Sequence, residues 1–432
     1  VTIFEQEVER NYRHNFIVNF LDGMFFWFGA SFITASTILP VYVSHFTDSK
    51  FLLGVLSMIA NAGWFVPQLF TANWIQRQPR KKVPLVRVGL FTERLPVVLL
   101  VISPLLAVRW PTLALAIFFV CIAWHSLGAG LVAVAWQDMI AKIIPVRRRG
   151  TFVGVTNFGG TATGLAGASA AAWVLSHYDF PTGYVWSFAA AGVLLMLSWT
   201  FVSMAREPAQ ESASPPLSQR EYLRRLPSVL RADVNFRQFL LSRAVISTGL
   251  MAVGFLTVYA VRRWNLPDGQ AGGFTVSMLV GQVLANLAFG ALADRRGHKL
   301  TLELATLLGM LGIGLAIVAP SPYWFYAVFV LLGFNQAGVL LSGLMIALEF
   351  CAPEQRPTYI GLNNTVNGVA SGLAPLFGGW LAGVVGYVPF FTLSLAVGLA
   401  GLALLHWTVH EPRHARPAAE TTGVRAAEAD TV

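Results

Sequence analysis

The chain has 432 residues, of which 55% are hydrophobic, 12% aromatic and only 12% charged, with a mean hydropathy of +0.61. Those values exclude a soluble globular domain and place the chain in a membrane. The net charge of +9 does not indicate a nucleic-acid partner, because the basic residues sit in short loops at helix ends without a folded basic domain.

The first fifteen residues, VTIFEQEVERNYRHN, mix acids and bases and lack a short apolar core followed by small residues. No cleavable signal peptide is expected there, and the first helix acts as its own insertion signal. A hydrocarbon core of ~30 Å needs about 20 mostly apolar residues per helix. Twelve such spans are predicted: 16–44, 51–75, 83–108, 110–140, 150–176, 182–204, 236–262, 269–293, 300–319, 323–351, 358–385 and 387–409. They divide the chain into an N-terminal segment (1–15), a six-helix bundle (16–204), a linker (205–235), a second six-helix bundle (236–411) and a tail (412–432). The linker joins a flexible stretch, EPAQESASPPLS, to a basic, partly amphipathic one, and the Ala-rich polar tail is expected to be disordered.

Lys and Arg are unequally shared between the two sets of loops. One set holds Arg77, Arg80, Lys81, Lys82, Lys142, Arg147, Arg148, Arg149, Arg206, Arg220, Arg224, Arg225, Arg231, Arg295, Arg296, Lys299 and Arg356; the other holds Lys50, Arg109, Arg262 and Arg263. The bias predicts that both termini and the linker are cytoplasmic in a multi-pass protein of a bacterial cytoplasmic membrane. Cys121 and Cys351 lie far apart and suggest neither a disulfide nor a metal site. His406, His410 and His414 recur every four residues, but Pro412 breaks the helix that would stack them, so no metal is expected. No phosphate-binding Gly loop, zinc-protease helix or nucleophile elbow occurs, so neither a cofactor nor an enzyme is expected.

Polar residues inside the bilayer are costly and mark function or a buried partner. Asp22 lies nine residues beyond Arg13, ~14 Å along a helix. Desolvation at that depth favours the neutral form of a carboxylate, which makes Asp22 a candidate to load and release protons. Asn19 shares its helical face, and Trp27 follows five residues later. Glu93 and Arg94 interrupt the third span; Glu93 is a second proton-coupling candidate, although a structural ion pair is the favoured reading. Candidates for a substrate cavity are Asn19, Trp27, Trp124, His125, Asn157, Arg243, Gln282, Asn286, Asn335, Gln336 and Asn364. For His125 a hydrogen-bonded packing role is favoured.

The two halves look like repeats. WQDMIAKIIPVRRRGTFVGVTNFGG (136–160) matches LMIALEFCAPEQRPTYIGLNNTVNG (344–368) in layout, and Asn-Phe opens the first helix of each half at Asn15 and Asn235. Aligning those asparagines places Asp22 opposite Ser242, one residue from Arg243, so an Asp22–Arg243 bridge between the halves is expected. Duplicated halves of this kind form a site at their interface and alternate access by rocking.

GALADRRGHK (290–299) is a polar knot between two apolar runs. Gly290, Asp294, Arg295, Gly297 and Lys299 fit the pattern Gly-x-x-x-Asp-Arg-x-Gly-x-[Lys or Arg] of the loops after helices 2 and 8 in the major facilitator superfamily. The chain resembles that superfamily in layout over about 15–411 and in this specific motif over ten residues. The resemblance implies an all-α fold of twelve transmembrane helices in two pseudo-symmetric bundles. It also implies a conformational latch built from Gly290, Asp294, Arg295, Arg296, Gly297, Lys299 and Glu349 in one half, and Asp138 with Arg149 in the other, with Arg356 alongside. Glu349 is the expected partner of Arg295, Arg296 or Lys299. The first-half copy, TANWIQRQPRKK (71–82), lacks the Asp and the Gly, which leaves Arg80, Lys81 and Arg149 as the candidate substitutes to partner Asp138, and Asp294→Asn should disturb transport more than Asn73→Ala. The exporter signatures are not met: Gly128 and Gly130 are present on the fourth span, but Trp124 stands where the Arg would be, and no Pro follows the glycines of the fifth.

The leading expectation is a proton-coupled secondary transporter, acting as a monomer among membrane lipids on a small organic solute, with efflux of amphipathic compounds favoured by the aromatics. An uptake symporter for a polar nutrient is the second reading, and a transporter-like sensor or lipid-handling protein the third.

Overall fold

The computed structural model describes residues 3–209, 230–351 and 356–412; most of the expected linker and nearly all of the tail, and the side chains of Asn73, Asp294 and Arg356, lie outside the described residues. The described chain is helical throughout, with no strands. We number the helices α1 (Ile3–Ala30), α2 (Ile38–Ser44), α3 (Lys50–Gln76), α4 (Lys82–Gly89), α5 (Leu95–Leu100), α6 (Ile102–Leu106), α7 (Pro111–Ile143), α8 (Arg149–His177) and α9 (Thr182–Ser203) in the N-terminal half. The C-terminal half holds α10 (Val234–Gly249), α11 (Val253–Trp264), α12 (Gly269–Arg296), α13 (His298–Val318), α14 (Trp324–Glu349), α15 (Arg356–Val385) and α16 (Tyr387–Thr408).

Among the described residues, ten helical stretches are long and apolar enough to cross a membrane. The two expected spans that fall short have physical reasons to do so. The third is broken by a π turn at Leu90–Arg94, where two charges enter it, and again at Val101 between α5 and α6. The fifth, α8, is long but rich in Gly, Thr and Ser.

The halves repeat in detail. The first span of each is interrupted by a 3-10 turn, at Ser31–Ile33 and at Leu250–Ala252, before it resumes as α2 or α11. Asn15 Nδ2 donates to Arg206 O and Asn15 Oδ1 accepts from Arg206 N, at 2.9 and 2.8 Å. Asn235 makes the same two-way clamp on His410, at 3.0 and 2.8 Å. A side-chain amide thus pairs the backbone of the segment leaving the last helix of each half, satisfying groups that would otherwise be orphaned.

Apolar packing is unequal at the two ends. The largest core cluster runs through both halves, with Tyr42, Phe118 and Phe188 from one and Phe255, Phe325 and Phe390 from the other. Toward the basic loops the core splits into separate clusters, one around Ile143 and Phe152 and another around Phe236 and Leu302. The halves share one core at the end away from the basic loops and have their own cores at the basic end.

Candidate functional site: a cleft between the halves

Two helix pairs mark where the halves part. Along α3 and α15, Gly54 lies against Pro375, Ala62 against Gly372 and Phe65 against Gly368. Along α8 and α12, Ala172 lies against Gly272 and Gly164 near Leu279. Nearer the basic end, Asn157 on α8 and Asn286 on α12 are exposed, while Gln282 and, on α15, Asn364 are half-buried. Gln282 Nε2 donates to Gln336 Oε1 on α14 at 2.9 Å. Trp27 is half exposed and stands beside Gly160. Amides and an indole therefore gather where packing between the halves stops.

Polar bonds close the other end. Thr37 and Thr275 hydroxyls meet at 2.5 Å, Thr257 donates to Ser36 O at 3.0 Å, and Lys50 Nζ donates to Ala382 O at 2.9 Å. Arg262 pairs with Asp48 at 2.8 Å and donates to Ser44 O and Thr47 O. His45 meets Asp268 at 2.6 Å. Among the described residues, every side-chain hydrogen bond and ion pair that joins the halves lies at this end.

Asp22 faces the interior of its own half. Ser198 Oγ on α9 donates to Asp22 Oδ1 at 2.6 Å, and Arg94 Nη2 donates to the same hydroxyl at 3.3 Å. Arg94 Nη1 pairs with Glu93 Oε1 at 3.1 Å and stacks its guanidinium over Phe26. On a regular helix adjacent side chains point about 100° apart; here the π turn at Leu90–Arg94 and the reach of Arg94 bring the two together. His125 completes the group through its ring Nδ1, 2.8 Å from Glu93 O. The reading of Glu93 and Arg94 as an ion pair and of His125 as a hydrogen-bonded packing group matches this geometry. Trp124 beside it is exposed.

Arg243 sits apart from this cluster, so the expected Asp22–Arg243 bridge is absent in this conformation. Matching depth along repeat-related helices did not bring the side chains together: Asp22 meets Ser198 of α9, and Arg243 lies against Gly343 of α14. Arg243 lies against Gly343 of α14, where an added Cβ would stand 3.2 Å from its Nη2. Asn363 Nδ2 approaches Gly343 O at 3.5 Å, Asn367 Nδ2 donates to Asn363 Oδ1 at 3.1 Å, and Ser247 Oγ donates to Asn367 Oδ1 at 3.4 Å. Two other expected cavity residues are corrected. Asn19 is fully buried and donates to Asn15 O of its own helix, and buried Asn335 donates to Ala305 O of the neighbouring α13; both serve the bundles and not the cleft.

The loops at the basic end carry two related knots. In the N-terminal half, Glu207 accepts from Lys81 N and Lys82 N at 2.9 and 2.7 Å, capping the start of α4, and pairs with Lys142 Nζ at 2.9 Å. Negative charge at a helix N-terminus offsets unpaired N–H groups and the helix dipole. Lys81 faces Asp138; burial pulls its ammonium below the ordinary lysine range, and Asp138 partly offsets this. Arg149 instead caps α7 through Ala141 O and Ile144 O. Lys81 Nζ itself donates to Ile75 O and Gln78 O, both at 2.7 Å, with Asp138 as an electrostatic neighbour.

In the C-terminal half, Gly297 reverses the chain at φ 92° and lies against the Glu411 carboxylate, which accepts from Lys299 N at 3.2 Å. Gly290 has open space where a side chain would be. Glu349 has His298 Nε2 3.9 Å away, while Lys299 turns to Glu303 at 3.4 Å; Arg295 and Arg296 are exposed. The expectation for Glu349 did not include His298, the residue that stands opposite it. Asp294 and Arg356, also expected in the latch, lie outside the described side chains. Glu207 and Glu411 were missed by sequence reasoning, although each begins the same Glu-Pro pair (Glu207-Pro208, Glu411-Pro412) just beyond the last helix of its half.

Residues 239–429 match the family model of the Major Facilitator Superfamily. The chain is 26% identical over 164 residues to the niacin transporter NiaP of Acinetobacter baylyi, covering 37% of this chain and 35% of that protein. It is 29% identical over 144 residues to the efflux pump hmp6 of Hypomyces subiculosus, covering 33% and 26%. It is 27% identical over 204 residues to solute carrier family 67 member A1 of Homo sapiens, covering 46% of each. Each of these matches spans less than half of the relative's own length. The crystal structure of a point mutant of the nucleoside transporter NupG is similar with a TM-score of 0.69 at 13% identity, covering 92% of this chain and 100% of that one. An inward-facing, occupied bacterial homologue of the human lysosomal transporter Spinster gives 0.67 at 14%, covering 92% and 97%. At those identities the likeness is one of fold. The family match thus covers the second half of the chain, and the likeness to solved transporters of the same fold extends over nearly all its length.

Proposed function

We propose that the chain is a secondary transporter that moves a small organic solute across a membrane by alternating access, in a conformation open toward the cytoplasm. The observation that carries this reading is the one-ended joining of the halves: shared core and inter-half bonds at one end, separate cores and a cleft with amides at the other. Two bundles with their contacts at one end can rock about a central site. The excess of Lys and Arg at the open end supports its assignment to the cytoplasm.

Proton coupling rests on Asp22. Its carboxylate is buried between α1, α9 and the π turn, facing Ser198, Arg94, Glu93 and Trp136. Protonation would loosen its tie to Arg94 and Ser198, and so change how α1 seats against α9. Export of amphipathic compounds is favoured by the exposed Trp27 and Trp124 and by the likeness to efflux pumps. Uptake is the second reading, favoured by the niacin transporter relative and by the asparagines of α15.

The test is flux into and out of proteoliposomes with an imposed pH gradient, for wild type and Asp22→Asn. Flux that follows the gradient in wild type and ignores it in Asp22→Asn supports coupling at this residue. Gradient-driven flux retained in Asp22→Asn would rule Asp22 out, and no flux of any solute would end the transporter reading.

A further inference from the structure

Arg243 is 5% exposed, and its Nε is fully buried without a hydrogen-bond partner. Among the described residues, none offers its nitrogens a hydrogen bond or an ion pair. A guanidinium taken out of water without an anion is unfavourable, and inside a membrane protein such a charge marks a ligand or a pathway.

The surroundings suit an anion. Arg243 and Ser247 stand one turn apart on α10, and Asn363 and Asn367 stand one turn apart on α15. Asn363, Asn367 and Ser247 form one hydrogen-bonded chain beside Gly343, whose missing side chain leaves room for the guanidinium. Arg243 lies eight residues in from Asn235, ~12 Å along the helix. Phe65 and Gly368, where α3 and α15 still touch, lie one turn beyond Asn364. In depth along the helices, this cluster therefore lies between the basic end and the level at which α3 and α15 touch.

We infer that Arg243 is the anion-recognition residue of the cleft and that the solute is an amphipathic organic acid bearing one carboxylate. The guanidinium offers two parallel N–H donors in the geometry of a carboxylate, and the second N–H of the Asn363 amide, beside the one directed at Gly343 O, is an uncharged donor next to it. The inference rests on the transporter reading but is tested separately from it.

The experiment compares matched acid and amide pairs, benzoate with benzamide and indole-3-acetate with indole-3-acetamide, together with inorganic phosphate. Purified full-length protein in detergent at pH 7 is titrated with each while its melting temperature is followed, since a ligand for the folded state raises it in proportion to ln(1 + [L]/Kd). The carboxylates should stabilise at concentrations at least tenfold below their amides and below phosphate. Arg243→Gln should abolish that preference and Arg243→Lys weaken it about tenfold. Gly343→Ala, which crowds the guanidinium without removing charge, should weaken it severalfold, and it carries the test if Arg243→Gln does not fold. Equal stabilisation by acids and amides, stronger stabilisation by phosphate, or an unchanged preference in the folded variants would overturn the inference. So would recovery of transport by Asp22→Arg combined with Arg243→Asp, which would make Asp22 the true partner. Carboxylate binding without flux in proteoliposomes would sink the transporter reading and leave the anion site standing; flux of neutral or cationic solutes alone, unaffected by Arg243→Gln, would do the reverse.

Discussion

His45 of the N-terminal half and Asp268 of the C-terminal half meet at 2.6 Å, with the imidazole stacked 4.1 Å from the Phe180 ring. The pair lies at the closed end and must part for the cleft to open there. Replacing either group should shift the balance away from the state closed at this end. A partly exposed His–Asp hydrogen bond contributes about 1 kcal/mol, so Asp268→Asn should change the ratio of the two states about fivefold. Labelling of a cysteine introduced at Ser36, which sits among the closing contacts, reports it; unchanged labelling would mean that the pair has no part in closure.

Ser198 is the shared partner of Asp22 and Arg94. Ser198→Ala removes the hydroxyl donor of a buried carboxylate, and should lower stability by about 1–3 kcal/mol. Thr200→Ala, an exposed hydroxyl two residues along the same helix that bonds only its own backbone, should change little. Thermal melts of the two variants make the comparison.

Glu207 is wholly buried and takes two backbone N–H groups besides Lys142. Glu207→Gln strands the Lys142 ammonium and should destabilise by about 3–5 kcal/mol. Adding Lys142→Met should recover part of that loss, because the stranded charge is gone. A double-mutant cycle on melting measures the coupling, and additive losses would mean that the pair contributes nothing beyond its members.

Two glycines of one motif should behave oppositely. At Gly297 an L side chain is strained at φ 92° and would meet the Glu411 carboxylate at 2.6 Å, so Gly297→Ala should cost at least about 1–2 kcal/mol. At Gly290, within α12 and facing open space, Ala should be neutral or gain up to about 1 kcal/mol from helix propensity. Parallel melting curves decide it; equal losses would contradict the assigned roles.

Much of the scaffold was legible in the amino-acid sequence alone. Apolar runs of membrane-spanning length were found where helices form, and Asn15 and Asn235 marked the duplication that their identical backbone clamps express. The third span was legible as charged but not as broken, since the π turn depends on how Glu93, Arg94 and Thr92 settle against α7. The site was legible mainly as a roll of residue types. Asn19 and Asn335 resemble Asn157 and Asn286 in sequence, yet the first two are buried in bundles while the others are exposed.

What the sequence by itself determined was the solvent of each segment: which stretches enter the membrane, which end carries the positive loops, and that the chain is built twice. Those properties follow from local composition and from the cost of exposing backbone or charge to hydrocarbon. What only the tertiary structure decided was the pairing: Asp22 with Ser198 across 176 residues, His45 with Asp268 across 223, and Arg243 with no partner among the described residues. Helical periodicity states which residues share a face, but the rotation of one helix against another, and the end at which the halves close, come from packing many side chains at once.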